Sequence, residues 1–306
     1  MLKGLTKMLL KTGIIILLAV VILLVVTVVF TARRLSFPNG LTLEEEKQWS
    51  ENNNVWGKLE DFQTEKYTVN GMDDYVLHCE LVYCNNPKNS DKYVIISHGY
   101  NSNRYGAGKY VPVYTQLGYN CIIYDVRGHG ENEKSVCTLG NFEAHDLVKI
   151  IDDTYSRFGN NIHLGLHGES MGSSISLSAL AYKPELEFVT ADCGFTGMYE
   201  LIGIMFKNNH MGFLEPAVDS SLKLFYGWSM KDTCAINALE DNEVPICFIH
   251  GKDDDFITPD NSERMNAAAK GYSELHIVEN AGHAQSLAVL GVDDYRDIVE
   301  SFLRSI

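Results

Sequence analysis

The stretch from Thr12 to Ala32 carries no charged residue, and its centre reads Ile-Ile-Ile-Leu-Leu-Ala-Val-Val-Ile-Leu-Leu-Val-Val. As a helix rising about 1.5 Å per residue, it is long enough to cross a hydrocarbon layer of roughly 30 Å. A cleaved signal peptide is the competing reading. The run exceeds an ordinary signal core, however, and Phe30 spoils a small-x-small cleavage site ending at Ala32. Residues 1–34 are therefore read as an N-terminal membrane anchor with the lipid bilayer as its partner. Lys3, Lys7 and Lys11 flank one end and Arg33, Arg34 and the more distant Lys47 the other, so the positive-inside rule discriminates little. The orientation adopted keeps the N-terminus cytoplasmic and the rest of the chain outside. No asparagine after the anchor sits in an N-x-[ST] acceptor, which favours a bacterial exterior over a eukaryotic secretory lumen.

Beyond the anchor the chain is globular. With 45% hydrophobic residues it can bury a sizeable core. Its net charge of −15 repels phosphate backbones and makes nucleic acid an unsuitable partner. Seven cysteines are an odd number, without C-x-x-C pairs or zinc-like spacing, so neither a structural metal nor a full disulfide framework is expected. Residues 35–57, with Glu44-Glu45-Glu46, read as a polar linker or short helix lifting the domain off the bilayer, its charges a solvated face.

Over residues 58–306, short apolar β-branched runs alternate with helical ones. Tyr75–Tyr83, Tyr93–Ser97, Cys121–Tyr124, Ile162–Leu166, Phe188–Ala191, Ile246–Ile249 and Leu275–Val278 are the strand candidates. The pattern predicts an α/β domain with a mostly parallel central sheet covered by helices on both faces. One gap in it, about residues 195–243, is rich in Met, Phe, Tyr, Leu and Trp. It reads as a short helical cap insertion over a site, or as additional packing helices.

Gly168-Glu169-Ser170-Met171-Gly172 follows one strand candidate and opens a helix, the context a nucleophile elbow requires. The serine would sit in a strained turn, where side chains two positions before and after it would collide as strand meets helix. A serine hydroxyl needs a base to become nucleophilic, and His283, just past the last strand in Asn280-Ala281-Gly282-His283-Ala284, is placed to return to it. The imidazole needs a carboxylate to fix its tautomer. Asp254, after strand Ile246–Ile249, is the choice, with Asp253 and Asp255 as alternatives or all three as a solvated acidic loop. Backbone amides suit the developing oxyanion: Met171, directly after the nucleophile, and Tyr100, in Ser97-His98-Gly99-Tyr100-Asn101. His98 reads as a buried structural histidine.

The order Ser170, Asp254, His283 is that of the α/β-hydrolase fold. Together with His98-Gly99-Tyr100, Asp125-Val126-Arg127-Gly128-His129-Gly130, His250-Gly251 and Gly282-His283, it resembles the successive signatures of α/β-hydrolases across about residues 65–306. More narrowly, the chain resembles bacterial membrane-anchored serine hydrolases related to the serine aminopeptidase, monoacylglycerol lipase and feruloyl-esterase-like branches. The resemblance implies that Asp125, Arg127 and His129 are structural supports near the site. It implies no cofactor or metal, and a small-molecule ester or acyl substrate. A carboxylic-ester hydrolase is the first expectation, its apolar acyl or aromatic moiety suggested by the composition of 195–243. A serine peptidase or acyltransferase would use the same triad, and a catalytically idle binding module is the alternative of another class.

Overall fold

The computed structural model describes residues 2–85 and 90–306. Its centre is one eight-stranded sheet in the order β1-β2-β4-β3-β5-β6-β7-β8. β3 (Lys92–Ser97), β4 (Asn120–Tyr124), β5 (His163–Glu169), β6 (Phe188–Asp192), β7 (Ile246–Gly251) and β8 (Ser273–Val278) run parallel. β4, β6 and β7 are buried along their whole length, which is why they read as continuous apolar runs. β1 (Thr64–Asn70) and β2 (Val76–Val82) form an antiparallel flank. The sequence reading missed β1 because Thr-Glu-Lys-Tyr-Thr-Val-Asn lies at the exposed edge and fully buries only Val69.

Strand residues alternate between two cores. Val94, Ile96, Cys121, Ile123, Cys247 and Ile249 meet α4 (Val111–Gln116) and α10 (Ser286–Ser305). Ile95, Ile122, Leu164, Leu166, Val189 and Phe248 meet α5 (Phe142–Phe158), α6 (Met171–Ala179) and α9 (Asp260–Ala268). The chain winds from β3 to β4, then crosses back over β3 to β5. The loops after β3 and β5 therefore diverge at the carboxyl edge, the crevice where open α/β sheets bind ligands.

Of the two expectations for residues 35–57 the short helix is found, but it packs on the domain and does not stand off as a spacer. α1 (Leu2–Ser36) is apolar and exposed for most of its length, but Val28, Ala32 and Ser36 are buried in the domain. Trp228 Nε1 donates to Ser36 Oγ at 3.1 Å, and Cys137 N to Ser36 O at 2.8 Å. Residues 43–52 form α2 (Leu43–Asn52), started by a Thr42–Glu45 capping box, and bury Glu46 and Ser50. Three hydrogen bonds tie the turn before α2 to the loop after β3: Asn39 N to Asn101 Oδ1, Leu41 N to Asn101 O, and Asn103 Nδ2 to Leu41 O. Residues 35–57 are thus packed onto the domain. A spacer would have left their polar backbone to water, whereas here Asn39 N, Leu41 N and Leu41 O are paired with the loop after β3.

The 195–243 insertion forms α7 (Met198–Asn208), α8 (Glu215–Tyr226) and short 3₁₀ turns. Its Met198, Leu201, Ile202, Val218, Leu222 and Trp228 are buried in the second of the two cores. α8 lies along α1, and Ile204, Met205, Phe213, Leu224 and Phe225 remain exposed.

A short helix, α3 (Arg104–Ala107), carries a buried charge cluster: the Arg104 guanidinium pairs with Asp125, Glu80 and Glu131. Replacing it strands Asp125 and Glu80 without their cation. Arg104→Met should lower unfolding stability by about 3–5 kcal/mol in a denaturant titration of the detergent-solubilised chain; a change below ~1 kcal/mol would show the cluster to be indifferent to its cation.

Candidate active site

Ser170 joins the end of β5 to α6 with φ 53° and ψ −116°, a conformation that costs a non-glycine residue about 1–3 kcal/mol. Its neighbours hold it there. Ser170 N donates to Asp192 O at 2.8 Å, and Asp192 in turn accepts from the hydroxyls of Tyr110, Tyr295 and Ser286 at 3.2, 3.0 and 3.1 Å. Burial, with the charge of Glu169, pushes the Asp192 pKa up to about 6. The glycines two positions either side have the steric task expected of them: a Cβ on Gly168 would lie 2.2 Å from Gly172 O, and one on Gly172 2.1 Å from Ser97 O.

The serine hydroxyl then meets the histidine. Ser170 Oγ is 2.9 Å from His283 Nε2, and His283 Nδ1 is 2.7 Å from Asp254 Oδ2. Because a carboxylate only accepts, Nδ1 carries the proton, and Nε2 is left to accept from the serine. Asp254 is 3% exposed, and its other oxygen accepts the Phe256 and Ile257 amides at 3.0 and 2.9 Å. Burial pushes this carboxyl up, but hydrogen bonds from His250 and His283, the His283 charge and the Ile257 amide outweigh it and hold Asp254 well below the usual carboxylate range. Of the three consecutive acids, Asp254 is the one against His283.

Two loops bring the histidine home. A Cβ on Gly251 would sit 2.3 Å from Ala281 O, so the glycine at the end of β7 admits the loop after β8. Gln285 Oε1 accepts from Gly282 N at 3.2 Å, and the Phe256 ring packs edge-on against the imidazole with centroids 5.0 Å apart. Cys193 lies in the same corner, with Sγ, the Asp254 carboxylate and the His283 ring within 4.8 Å. Both imidazole nitrogens are already engaged, so this trio lacks the free lone pair a metal would need.

The remaining predicted residues gather beside the serine. Met171 N opens α6 and Tyr100 N lies in the loop after β3; among the described residues neither amide donates to a protein acceptor. Gly99 brings that loop close, since a Cβ there would be 3.6 Å from Ser170 Cβ. The loop is braced by histidines that never reach the serine. His98 Nε2 accepts from Val126 N at 2.9 Å while Nδ1–H donates to Gly99 O at 2.7 Å, and burial lowers its pKa to about 4. His129 Nε2 accepts from Asn101 N at 3.3 Å, its pKa lowered to about 3 by burial and by His98. Asp125 and Arg127 are supports too: Asp125 binds Arg104, and Arg127 makes a two-pronged pair with Asp146 on α5 at 2.7 Å per bond.

Several contacts around the site are not legible in the sequence. His250 Nε2 lies 3.3 Å from Asp254 Oδ2 and 2.8 Å from Ile257 O, fixing the acid loop. Tyr100 Oη donates to Arg34 O at 2.6 Å, so the end of α1 clamps the loop bearing an expected oxyanion donor. A cavity of about 320 Å³ opens beside His283, walled by Leu41, Glu46, Trp49, Tyr100, Lys109 and Glu169 among others. None of its lining residues comes from 195–243. Part of the insertion's apolar surface is used in packing and part stays exposed, while residues 41–50 contribute Leu41, Glu46, Trp49 and Ser50 to the wall of this cavity. Only the spacing of Leu43, Glu46 and Ser50 hinted at this, as one face of a helix. Roomier clefts, of about 610 and 710 Å³, lie by the amino ends of the strands at Lys92 and contain no triad residue.

Comparison with known proteins bears on the family and the fold. A family model described as serine aminopeptidase, S33, matches residues 88–191. The Bacillus subtilis protein YqkD, itself uncharacterized, is 31% identical over 225 residues, covering 71% of this chain and 72% of its own. The fold is similar to that of the Pyrococcus furiosus esterase Pf2001, with TM-score 0.66 and 18% identity over 89% of this chain and 98% of that one. It is also similar to the Pyrococcus horikoshii acylaminoacyl peptidase, with TM-score 0.56 and 14% identity over 78% of this chain and 40% of that one.

Gly172→Ala should force Ser97 and the turn apart. We expect a stability loss of about 1–3 kcal/mol and a fall in turnover larger than that loss of folded protein explains. Wild-type activity per folded molecule would contradict the steric role.

Proposed function

The chain belongs to the α/β-hydrolase superfamily, and we propose that it is a membrane-anchored serine hydrolase, in the first place a carboxylic-ester hydrolase. The observation that carries this reading is the unbroken relay from Ser170 Oγ through His283 to Asp254, with two undonated amides at its head. Ser170 attacks the acyl carbonyl as His283 Nε2 takes its proton. The Met171 and Tyr100 amides receive the oxyanion, and they need no rearrangement because they already lack partners among the described residues. His283 returns the proton to the leaving group, then activates a water that cleaves the acyl-enzyme. Asp254 holds the imidazole tautomer throughout.

A serine peptidase or an acyltransferase is the second reading, the peptidase favoured by the match to the serine aminopeptidase model. A triad of this kind does not fix the acyl acceptor. The intact relay argues against an idle binding module, which would have no use for a strained serine.

Anchoring is supported by α1, which over Thr6–Ser36 has a mean hydropathy of 3.4 in its most apolar window. Cleavage at Ala32 would remove Val28 and Ala32 from the core they help fill, which favours retention of the helix. The exposed Ile204, Met205, Phe213, Leu224 and Phe225 suit a domain held against the bilayer. In the orientation we adopt, the N-terminus is cytoplasmic and the domain outside.

Labelling of the full chain by a fluorophosphonate should occur in the wild type and be lost in Ser170→Ala and His283→Ala. Asp254→Asn should keep the fold while turnover of a p-nitrophenyl ester drops by about a thousandfold or more. Labelling retained in Ser170→Ala would put the nucleophile elsewhere, and a folded wild type that does not label would overturn the hydrolase reading.

A further inference from the structure

The cavity beside His283 holds a carboxylate that nothing in the triad uses. Glu46, on α2, is 4% exposed, and among the described residues no lysine, arginine or histidine lies within ion-pair distance of it. The hydrogen-bond donor to its carboxylate among those residues is the Ser102 hydroxyl, at 3.1 Å from Oε2. Gly106 leaves room for this pair: a Cβ there would lie 2.0 Å from Ser102 Oγ and 2.9 Å from Glu46 Oε1.

The cation in this wall is already committed. Lys109 pairs with Glu169, and its Nζ also reaches Ala284 O at 3.4 Å. Glu169 further accepts from Tyr110 Oη at 2.6 Å. Lys109 and Glu169 cancel, so the wall keeps one uncompensated negative charge, that of Glu46. A buried carboxylate without a counter-ion is costly. Burial pushes the Glu46 pKa up to about 6, with the Glu169 charge in the same direction and the Ser102 hydrogen bond and Lys109 charge against it. Trp49 lines the same cavity and offers the aromatic surface that organic cations prefer, whereas the Tyr100 ring already carries the Arg34 guanidinium, 5.8 Å from its centroid.

We propose that Glu46, with Trp49, forms a cation subsite beside the triad, and that the acyl compound cleaved carries a positively charged organic ammonium group which this carboxylate binds. The proposal rests on the serine-hydrolase reading and adds a substrate class to it. It makes the segment between the apolar helix and the domain a specificity element, held in place by its hydrogen bonds to Asn101 and Asn103. Glu46 acts in binding and takes no part in the proton relay.

The test is protection of the full chain in detergent from fluorophosphonate labelling, by n-hexylammonium and by 1-hexanol, which share a chain and differ in charge. In the wild type, hexylammonium should protect at concentrations about tenfold lower than hexanol. In Glu46→Gln the ratio should fall towards one. Because the readout is a ratio within each protein, a general change in labelling rate cancels. Glu46→Asp, which keeps the charge, should retain a preference, and Glu46→Ala should lose it; this pair decides the matter if the glutamine variant does not fold. Equal protection by the two compounds in the wild type, or a preference that survives Glu46→Gln or Glu46→Ala, overturns the subsite. A folded wild type that does not label overturns the hydrolase reading instead.

Discussion

The turn at Ser170 sets the terms for everything around it. A serine at φ 53° stores strain, and the strain is tolerated only because β5 and α6 are wedged against β3, where a side chain on Gly172 would collide with Ser97 O. The turn is anchored below by Asp192, which takes the Ser170 amide on its carbonyl and three hydroxyls on its carboxyl group. Its serine then stands at the carboxyl edge of the sheet, where the loops after β3, β7 and β8 converge on it.

Those loops are held by polar groups that do no chemistry themselves. His98, His129 and Arg104 are buried, and each closes a contact between segments distant in the chain, while the buried His250 ties the acid loop to the end of β7. Low dielectric makes such bonds strong when complete and costly when broken. The site is therefore rigid where the relay needs rigidity, and an open cavity lies on the side where α2 packs.

Much of this was legible in the chain. The alternation of short apolar runs with helical ones located the parallel strands because strands buried on both faces have no polar face to hide them. β1 escaped because an exposed edge strand shows no such run. Ser170, His283 and Asp254 could be picked out because the elbow needs glycines at fixed offsets and the triad follows in a fixed chain order. The choice of Asp254 over Asp253 and Asp255 rested on position alone until the geometry set its Oδ2 2.7 Å from His283.

The features that the sequence determined by itself were local and periodic: an apolar helix, strands doubly covered, a turn that only small flanking residues permit. Each is dictated by the backbone and its nearest neighbours. Only the tertiary structure decided that residues 35–57 close onto the domain, that α2 and not the 195–243 insertion contributes to the wall beside His283, and that Glu46 lies there without a counter-ion among the described residues. The physical reason is that burial and pairing are properties of an environment assembled from distant segments. An acidic run such as Glu44-Glu45-Glu46 looks the same in sequence whether its carboxylates face water or a cavity.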